Sequence, residues 1–73
     1  LLLALIAYRL QGDVIALTHT EVPEALEGQG IGSELVRQVL DDVRARGLRV
    51  RPLCPFVAAY ITRYQEYQGL VAA

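Results

Sequence analysis

Lysine, methionine and tryptophan are absent from this 73-residue chain, and cysteine, histidine and phenylalanine each occur once. Each shortage excludes something. Without a Gly-Lys-Ser/Thr there is no nucleotide-triphosphatase loop. A single cysteine cannot close an internal disulfide, so nothing calls for an oxidising compartment and a cytoplasmic location is expected. The seven arginines are spread among eight acids for a net charge of −1, which argues against a nucleic-acid backbone as partner. The apolar run at residues 1–7 is far too short to span a bilayer and lacks the cationic lead of a signal peptide, so no membrane partner is expected. It reads instead as a buried strand. With no initiating methionine, the chain is expected to begin inside a longer one and to lack an amino-terminal segment. No repeat, low-complexity stretch or linker divides it, so residues 1–73 are expected to form one domain. No metal is expected.

What remains is a globular composition, 53% hydrophobic and 21% charged, in which disorder is excluded but the small size leaves stability marginal. A ligand, partner or second copy would help, and a homodimer is among the expectations.

The most informative stretch is Leu26-Glu27-Gly28-Gln29-Gly30-Ile31-Gly32-Ser33-Glu34-Leu35. Three alternate glycines run directly into a helical apolar repeat. Glycines clear Cβ atoms from a turn and allow left-handed backbone angles. The helix that follows begins with unpaired N–H donors and the positive end of its dipole. Together these make an anion cradle at residues 28–33 that needs no lysine. The competing reading is a plain connector. A dinucleotide fingerprint is excluded, because Ser33 stands where its third glycine belongs.

Along the chain, residues 2–9 and 14–22 read as strands joined by a turn at Gln11-Gly12-Asp13. Pleating predicts Ile15, Leu17, His19 and Glu21 on one face of the second strand, and Pro23 ends its pairing. From Ile31, the residues Leu35, Val36, Val39, Leu40 and Val43 recur at helical spacing, and Gly47 closes that helix. A short strand over 48–53 follows. Cys54-Pro55 then opens a second helix through Arg63, while the tail from Gln65 carries no clear pattern. The order β-β-loop-α-β-α predicts an α/β (α+β) fold: a mixed central sheet with an N-terminal β-hairpin and then a β-α-β-α unit. A right-handed crossover would make the second and third strands parallel neighbours, with the glycine loop at the carboxyl end of the second. The cluster Arg44, Arg46, Arg49 and Arg51 reads as a solvated helix end suited to the dipole, or else as a phosphate site.

The loop and its flanks resemble the phosphate-binding signature of the GCN5-related N-acetyltransferases: Gln or Arg, two residues, Gly, one residue, Gly or Ala, then a helix. The string His19-Thr20-Glu21-Val22-Pro23 through Leu26, with Arg51-Pro52-Leu53-Cys54-Pro55-Phe56-Val57, resembles the very small single-domain branch of that superfamily. The resemblance runs from about Ala7 to Val71. It implies a minimal fold of that family and acetyl-coenzyme A as co-substrate, with its pyrophosphate on the N–H groups of Gln29, Gly30, Ile31, Gly32 and Ser33. Its pantetheine arm would lie beside Val22 like an added strand. The sequence departs from the pattern in two places. Glu27 replaces the usual Gln or Arg, and Tyr64-Gln65 stands before Glu66-Tyr67 where relatives carry His-Pro.

Acetyl transfer to an amine needs a neutral nucleophile, a polarised thioester carbonyl and a proton for the departing thiolate. Backbone N–H groups near Val22 are candidates for the carbonyl, where such folds splay two strands. His19, the sole imidazole, is a candidate general base, directly or through water, or simply a strand histidine. Glu21, two residues on, is a second candidate base or a partner that tunes His19. Cys54 precedes a helix whose N-terminus favours a thiolate, so it is a candidate covalent nucleophile or a buried small hydrophobe. Tyr60 and Tyr64, four apart, are either core packing or the source of the thiolate's proton. Three functions follow. One is an acetyl-coenzyme-A-dependent N-acetyltransferase acting on an amine, in a small molecule or a protein. Another is a module that binds coenzyme A without chemistry, left open because the superfamily's frequent carboxylate base has no counterpart at Ala16. The third is an interaction domain that pairs through its N-terminal strand.

Overall fold

The computed structural model describes residues 3–72. Strands β1 (Leu5–Gln11) and β2 (Val14–Glu21) form an antiparallel hairpin. Its two-residue turn is Gly12-Asp13, and only Gly12 has positive φ, 61°, the position a glycine-first hairpin turn reserves for a residue without Cβ. Helix α1 (Ile31–Ala45) then carries the chain to β3 (Arg49–Pro52), which pairs parallel with β2 from Val14↔Arg49 to Leu17↔Pro52. The sheet order is β1-β2-β3, a mixed sheet as expected. Helix α2 (Pro55–Arg63) and a 3-10 segment (Gln65–Leu70) follow. Among the described residues, no helix is long and apolar enough to cross a membrane. Of the apolar run at 1–7, Leu1 and Leu2 lie outside the described residues; β1 starts at Leu5 and is an edge strand.

One feature of the hairpin overturns the simple pleat. Ala7 pairs with His19 but Tyr8 pairs with Leu17, so Thr18 is an extra residue on β2. Such a bulge reverses the alternation beyond it. Ile15 and Leu17 turn towards the core, and past the bulge it is Thr20 that turns inward, while His19 and Glu21 are each 60% exposed. The predicted common face for Leu17, His19 and Glu21 is therefore broken at Thr18, whose hydroxyl donates to the carbonyl of Ala7 at 3.3 Å.

Helix α1 buries Val36, Leu40 and Val43, and its outer face is laced by Arg37, which bonds Glu34 at 3.0 Å and Asp41 at 2.9 Å. The Arg37 guanidinium holds the Glu34 carboxyl at about 2. These are exposed pairs, which contribute little to stability. Leu48 N–H bonds Val43 C=O and Gly47 N–H bonds Arg44 C=O, with Gly47 at φ 69°. This paired cap is the stop that a glycine just past a helix provides.

Leu17 and Val50 from the sheet meet Val36, Leu40 and Val43 of α1, and Cys54, Val57 and Ile61 at and in α2, in one buried cluster. Tyr67, from the tail that the sequence left unread, joins it and donates its hydroxyl to Asp41 at 2.7 Å. The tail ends as a partial strand: Val71 bridges Val50 in parallel, and Ala72 N–H bonds Val50 C=O at 2.8 Å. Three of the four clustered arginines are absorbed here. Arg44 bonds the Glu66 carbonyl, Arg46 bonds Asp42 and Arg49 bonds the Val71 carbonyl, so the helix-end reading of the cluster fits and the phosphate reading has little cation left.

Candidate functional site

β3 accompanies β2 only as far as Leu17. Cys54 N–H closes that edge with a 2.9 Å bond to Leu17 C=O, and Pro55 turns the chain into α2, a helix start that proline's fixed φ favours. From Thr18 onward, β2 has β1 on one side and no strand on the other among the described residues. The freed edge faces a cleft of about 690 Å³. Thr20, Glu21 and Val22 form one wall, and Gly28, Gly30 and Ser33 the other.

The three alternate glycines do two different jobs. Gly28 and Gly30 have φ of 81° and 74°, values that side chains resist, so they shape the turn. Gly32 is helical and is needed for space. A Cβ there would lie 3.0 Å from Phe56 Cζ and 3.2 Å from Val22 Cγ2. Gly32 thus lets the starts of α1 and α2 close on the end of β2. Gly30 caps α1 without a side-chain bond, and the first helical bond runs from Glu34 N–H to Gly30 C=O at 3.0 Å. The N–H groups of Ile31, Gly32 and Ser33 precede that bond and have no backbone partner among the described residues. These are the donors left over at any helix start, here beside a cleft.

Of the residues singled out from sequence, Glu21, Val22, Gly30, Gly32 and Ser33 line this one cleft. Gln29 is an exposed loop residue between two lining glycines, and Ile31 is half-buried at the first position of α1. His19 reaches the site through Glu21, with Nε2 3.3 Å from Oε1. Cys54 reaches it through Thr20. The thiol, in a residue only 4% exposed, lies 3.3 Å from the Thr20 hydroxyl at the cap of α2. Burial pushes the Cys54 thiol up, but hydrogen bonding to Thr20 and to the first-turn backbone of α2 at Val57 and Phe56 outweighs it, leaving the group below its ordinary value. Tyr60 and Tyr64 stack with centroids 4.5 Å apart, and Tyr67 lies 5.9 Å from Tyr60. The pair is thus part of an aromatic cluster, as packing predicts.

Thr20 and Phe56 belong to the site and were not singled out. Thr20 was hidden by the bulge, since strict alternation turns it away from Leu17. Phe56 had a signal in the sequence, being the sole phenylalanine, one residue after the proline that opens α2.

Comparison with known proteins matches this chain to a family. A family model described as GCN5-related N-acetyl-transferase matches residues 2–70. Protein NATD1 of Homo sapiens and of Gallus gallus are each 34% identical over 59 residues, which is 80% of this chain and 52% and 54% of theirs. The chain thus spans about half the length of these relatives. An NMR solution structure of a GCN5-like protein from Staphylococcus aureus superposes with a TM-score of 0.78 at 30% identity, covering 96% of this chain and 70% of that one.

Proposed function

The chain belongs to the GCN5-related N-acetyltransferase family, and from that premise we propose that it transfers an acetyl group from acetyl-coenzyme A to an amine. The observation that carries this reading is the continuity of one cleft from the freed edge of β2 to the unpaired N–H groups that open α1. A thioester carried on a pyrophosphate-bearing arm needs both features. The pyrophosphate is held by the N–H groups of Gln29, Gly30, Ile31, Gly32 and Ser33, and the pantetheine arm runs along the edge β3 has vacated, beside Val22. Backbone N–H groups near Val22 polarise the acetyl carbonyl as negative charge develops on its oxygen.

The acceptor amine approaches from the outer face of β2, where Glu21 is in the cleft wall and His19 is 3.3 Å from it. This exposed pair accepts the ammonium proton, so that the neutral amine can attack. Attack forms the C–N bond, the carbonyl re-forms and the C–S bond breaks, and the proton shed by the attacking nitrogen goes to the coenzyme A thiolate as it leaves. The lowered thiol of Cys54 favours a second reading. In it the Cys54 thiolate first takes the acetyl group, coenzyme A departs, and the amine attacks the acetyl-cysteine. Retained turnover by Cys54→Ala excludes that route, whereas lost turnover in a folded variant, with acetylated Cys54 trapped in the wild type, supports it.

The main test is thermal unfolding with acetyl-coenzyme A followed by a thiol-release screen of amines. Ligand at a hundred times its Kd should stabilise the protein by about 2.7 kcal/mol. Ser33→Glu separates binding from folding. A carboxylate in the first turn suits the helix dipole, so the unliganded midpoint should hold while the ligand response disappears. A wild-type protein that ignores acetyl-coenzyme A refutes the reading, and a response without thiol release from any amine leaves a binding module. Absence of a response together with self-association through the β1 edge would favour the interaction domain.

A further inference from the structure

Helices α1 and α2 pack against one face of the sheet. Ile15, Leu17 and Val50 meet them there, and Ile6, Tyr8 and Leu10 line a cleft shared with α1. The residues that alternate with these belong to the opposite, outer face. On that face the strand register sets Arg9 beside Ala16, and Ala16 beside Arg51. Arg9 and Arg51 therefore stand in one row, both exposed, with a residue between them too small to fill the gap. Two strand spacings separate their Cα atoms, roughly 10 Å.

Of the four arginines around Gly47, Arg44, Arg46 and Arg49 are bonded to Glu66, Asp42 and Val71. Arg51 is the one left over. Neither it nor Arg9 has a carboxylate within 4 Å among the described residues. Two guanidinium groups facing water across an alanine repel weakly, and an anion set between them relieves that repulsion while accepting charge-assisted hydrogen bonds from both. The pyrophosphate of the co-substrate is assigned elsewhere, to the glycine loop that opens α1 on the inner face. What shares the outer face with this row is the His19–Glu21 pair. Three positions along β2 separate Ala16 from His19, a distance of about 10 Å at most. The outer face thus has an acid at one end and two unclaimed cations at the other.

Resting on the acetyl-transfer reading above, we propose that this face selects a peptide amino terminus followed by acidic side chains, which Arg9 and Arg51 bind while the amine lies at His19 and Glu21. The order of charge matches: the ammonium group meets Glu21 before it gives up its proton, and the carboxylates meet the arginines. An extended peptide advances about 3.3 Å per residue, so its third and fourth residues reach the row of Ala16 when its amino terminus is at His19. The same two arginines repel an acceptor whose amine is followed by basic residues, so the row discriminates by repulsion as well as by attraction.

Thiol release from acetyl-coenzyme A tests this, with peptides that have a free amino terminus and glutamate, glutamine or lysine at their third and fourth positions. The wild type should prefer the glutamate peptide to the glutamine peptide by about tenfold in kcat/KM, the product of two exposed charge-assisted contacts of about threefold each. The difference should lie in KM and shrink as salt is raised. Arg9→Gln and Arg51→Gln should each remove about threefold of the preference, the double variant should remove all of it, and Arg51→Glu should turn it towards the lysine peptide. The rise in unfolding midpoint with acetyl-coenzyme A, which depends on the glycine loop, reports that the co-substrate site is intact in each variant. Equal use of the three peptides, a preference that survives the double substitution, or turnover confined to small uncharged amines overturns the assignment and leaves acetyl transfer standing. If the wild type neither responds to acetyl-coenzyme A nor releases thiol with any amine, the acetyl-transfer reading falls and this assignment falls with it.

Discussion

Over residues 14–17, strand β2 is paired on both edges, with β1 and with β3, and Leu17 is sealed in the core. Over residues 18–21 it keeps β1, loses β3 and faces a cleft. The composition changes at the same point, from Val-Ile-Ala-Leu to Thr-His-Thr-Glu. The first half is held by apolar burial and is part of the cluster that α1 and α2 close over. The second half is held by backbone features: a bulge at Thr18, the cap that Cys54 places on Leu17, and a glycine at 32 that lets two helix starts approach. Stability is thus concentrated in one half and the candidate site in the other, within a single strand. Substitutions in the two halves should separate folding from binding.

The largest effect belongs to the sealed half. Leu40 is 0% exposed at the centre of the cluster, and Leu40→Ala should cost about 3 kcal/mol through lost burial and the cavity left behind. That is a large share of the stability of so small a domain. Urea unfolding followed by circular dichroism should show a much lower midpoint or no folded baseline. A midpoint near that of the wild type would mean that the core is not centred where the comparison puts it.

Next comes the tail that closes this half. Tyr67→Phe removes the 2.7 Å bond to Asp41 and leaves a partly buried carboxylate short of a donor, at a cost of about 1.5 kcal/mol. The same bond, with burial behind it, pushes the Tyr67 hydroxyl up from 10.0 to about 12. A group whose pKa is higher in the folded state stabilises it fully below the unfolded value and loses that contribution as pH rises through the folded one. Wild-type stability should therefore fall between about pH 10 and pH 12, and Tyr67→Phe should flatten that fall. Equal slopes for the two proteins in urea titrations across the window would contradict the bond.

Gly32→Ala acts at the junction of the two halves. The new Cβ meets the tip of Phe56 at 3.0 Å and Val22 at 3.2 Å, and Phe56 is exposed enough to swing aside, so the loss of stability should be only about 1 kcal/mol. Since Val22 and Phe56 both line the cleft, acetyl-coenzyme A affinity should drop further than stability does. A variant that loses stability but keeps its affinity would detach Gly32 from the site.

How much of this was legible in the sequence follows from the same division. The sealed half is written in apolar spacing: Val36, Leu40 and Val43 at helical intervals, Gly47 as the stop and Pro55 as the start of α2 all have local physical causes, and each is found where that cause puts it. The parallel pairing of β2 with β3 follows from the crossover. The site half is legible where a residue type forces a backbone state, as at Gly28 and Gly30, and where the glycine-loop pattern with its flanks places Glu21, Val22, Gly32 and Ser33 beside it. The bulge at Thr18 has no marker, because threonine is at home in regular strands, so Thr20 was assigned the wrong face and His19 was grouped with Leu17. The tail was opaque for another reason. Tyr67 is fixed by Asp41, twenty-six positions away, and a short 3-10 segment carries no periodicity of its own.

The smallest effect concerns the residue that least fits its place. Glu27 ends the 3-10 turn Glu24–Leu26, with its N–H on the Glu24 carbonyl at 3.2 Å, and lines the cleft beside Gly28. Its carboxylate therefore stands at the mouth of a site proposed to hold a pyrophosphate. Being exposed, it repels through water rather than through protein, which keeps the penalty small. Glu27→Gln should therefore tighten acetyl-coenzyme A binding by about threefold, the size of one screened surface interaction, and leave the unfolding midpoint unchanged within about 0.5 kcal/mol. The gain should shrink as salt is raised, because screening removes the repulsion that the substitution relieves. A gain independent of ionic strength would mean that glutamine contributes a contact of its own, and no gain at all would place the pyrophosphate away from Glu27 and hence away from the glycine loop.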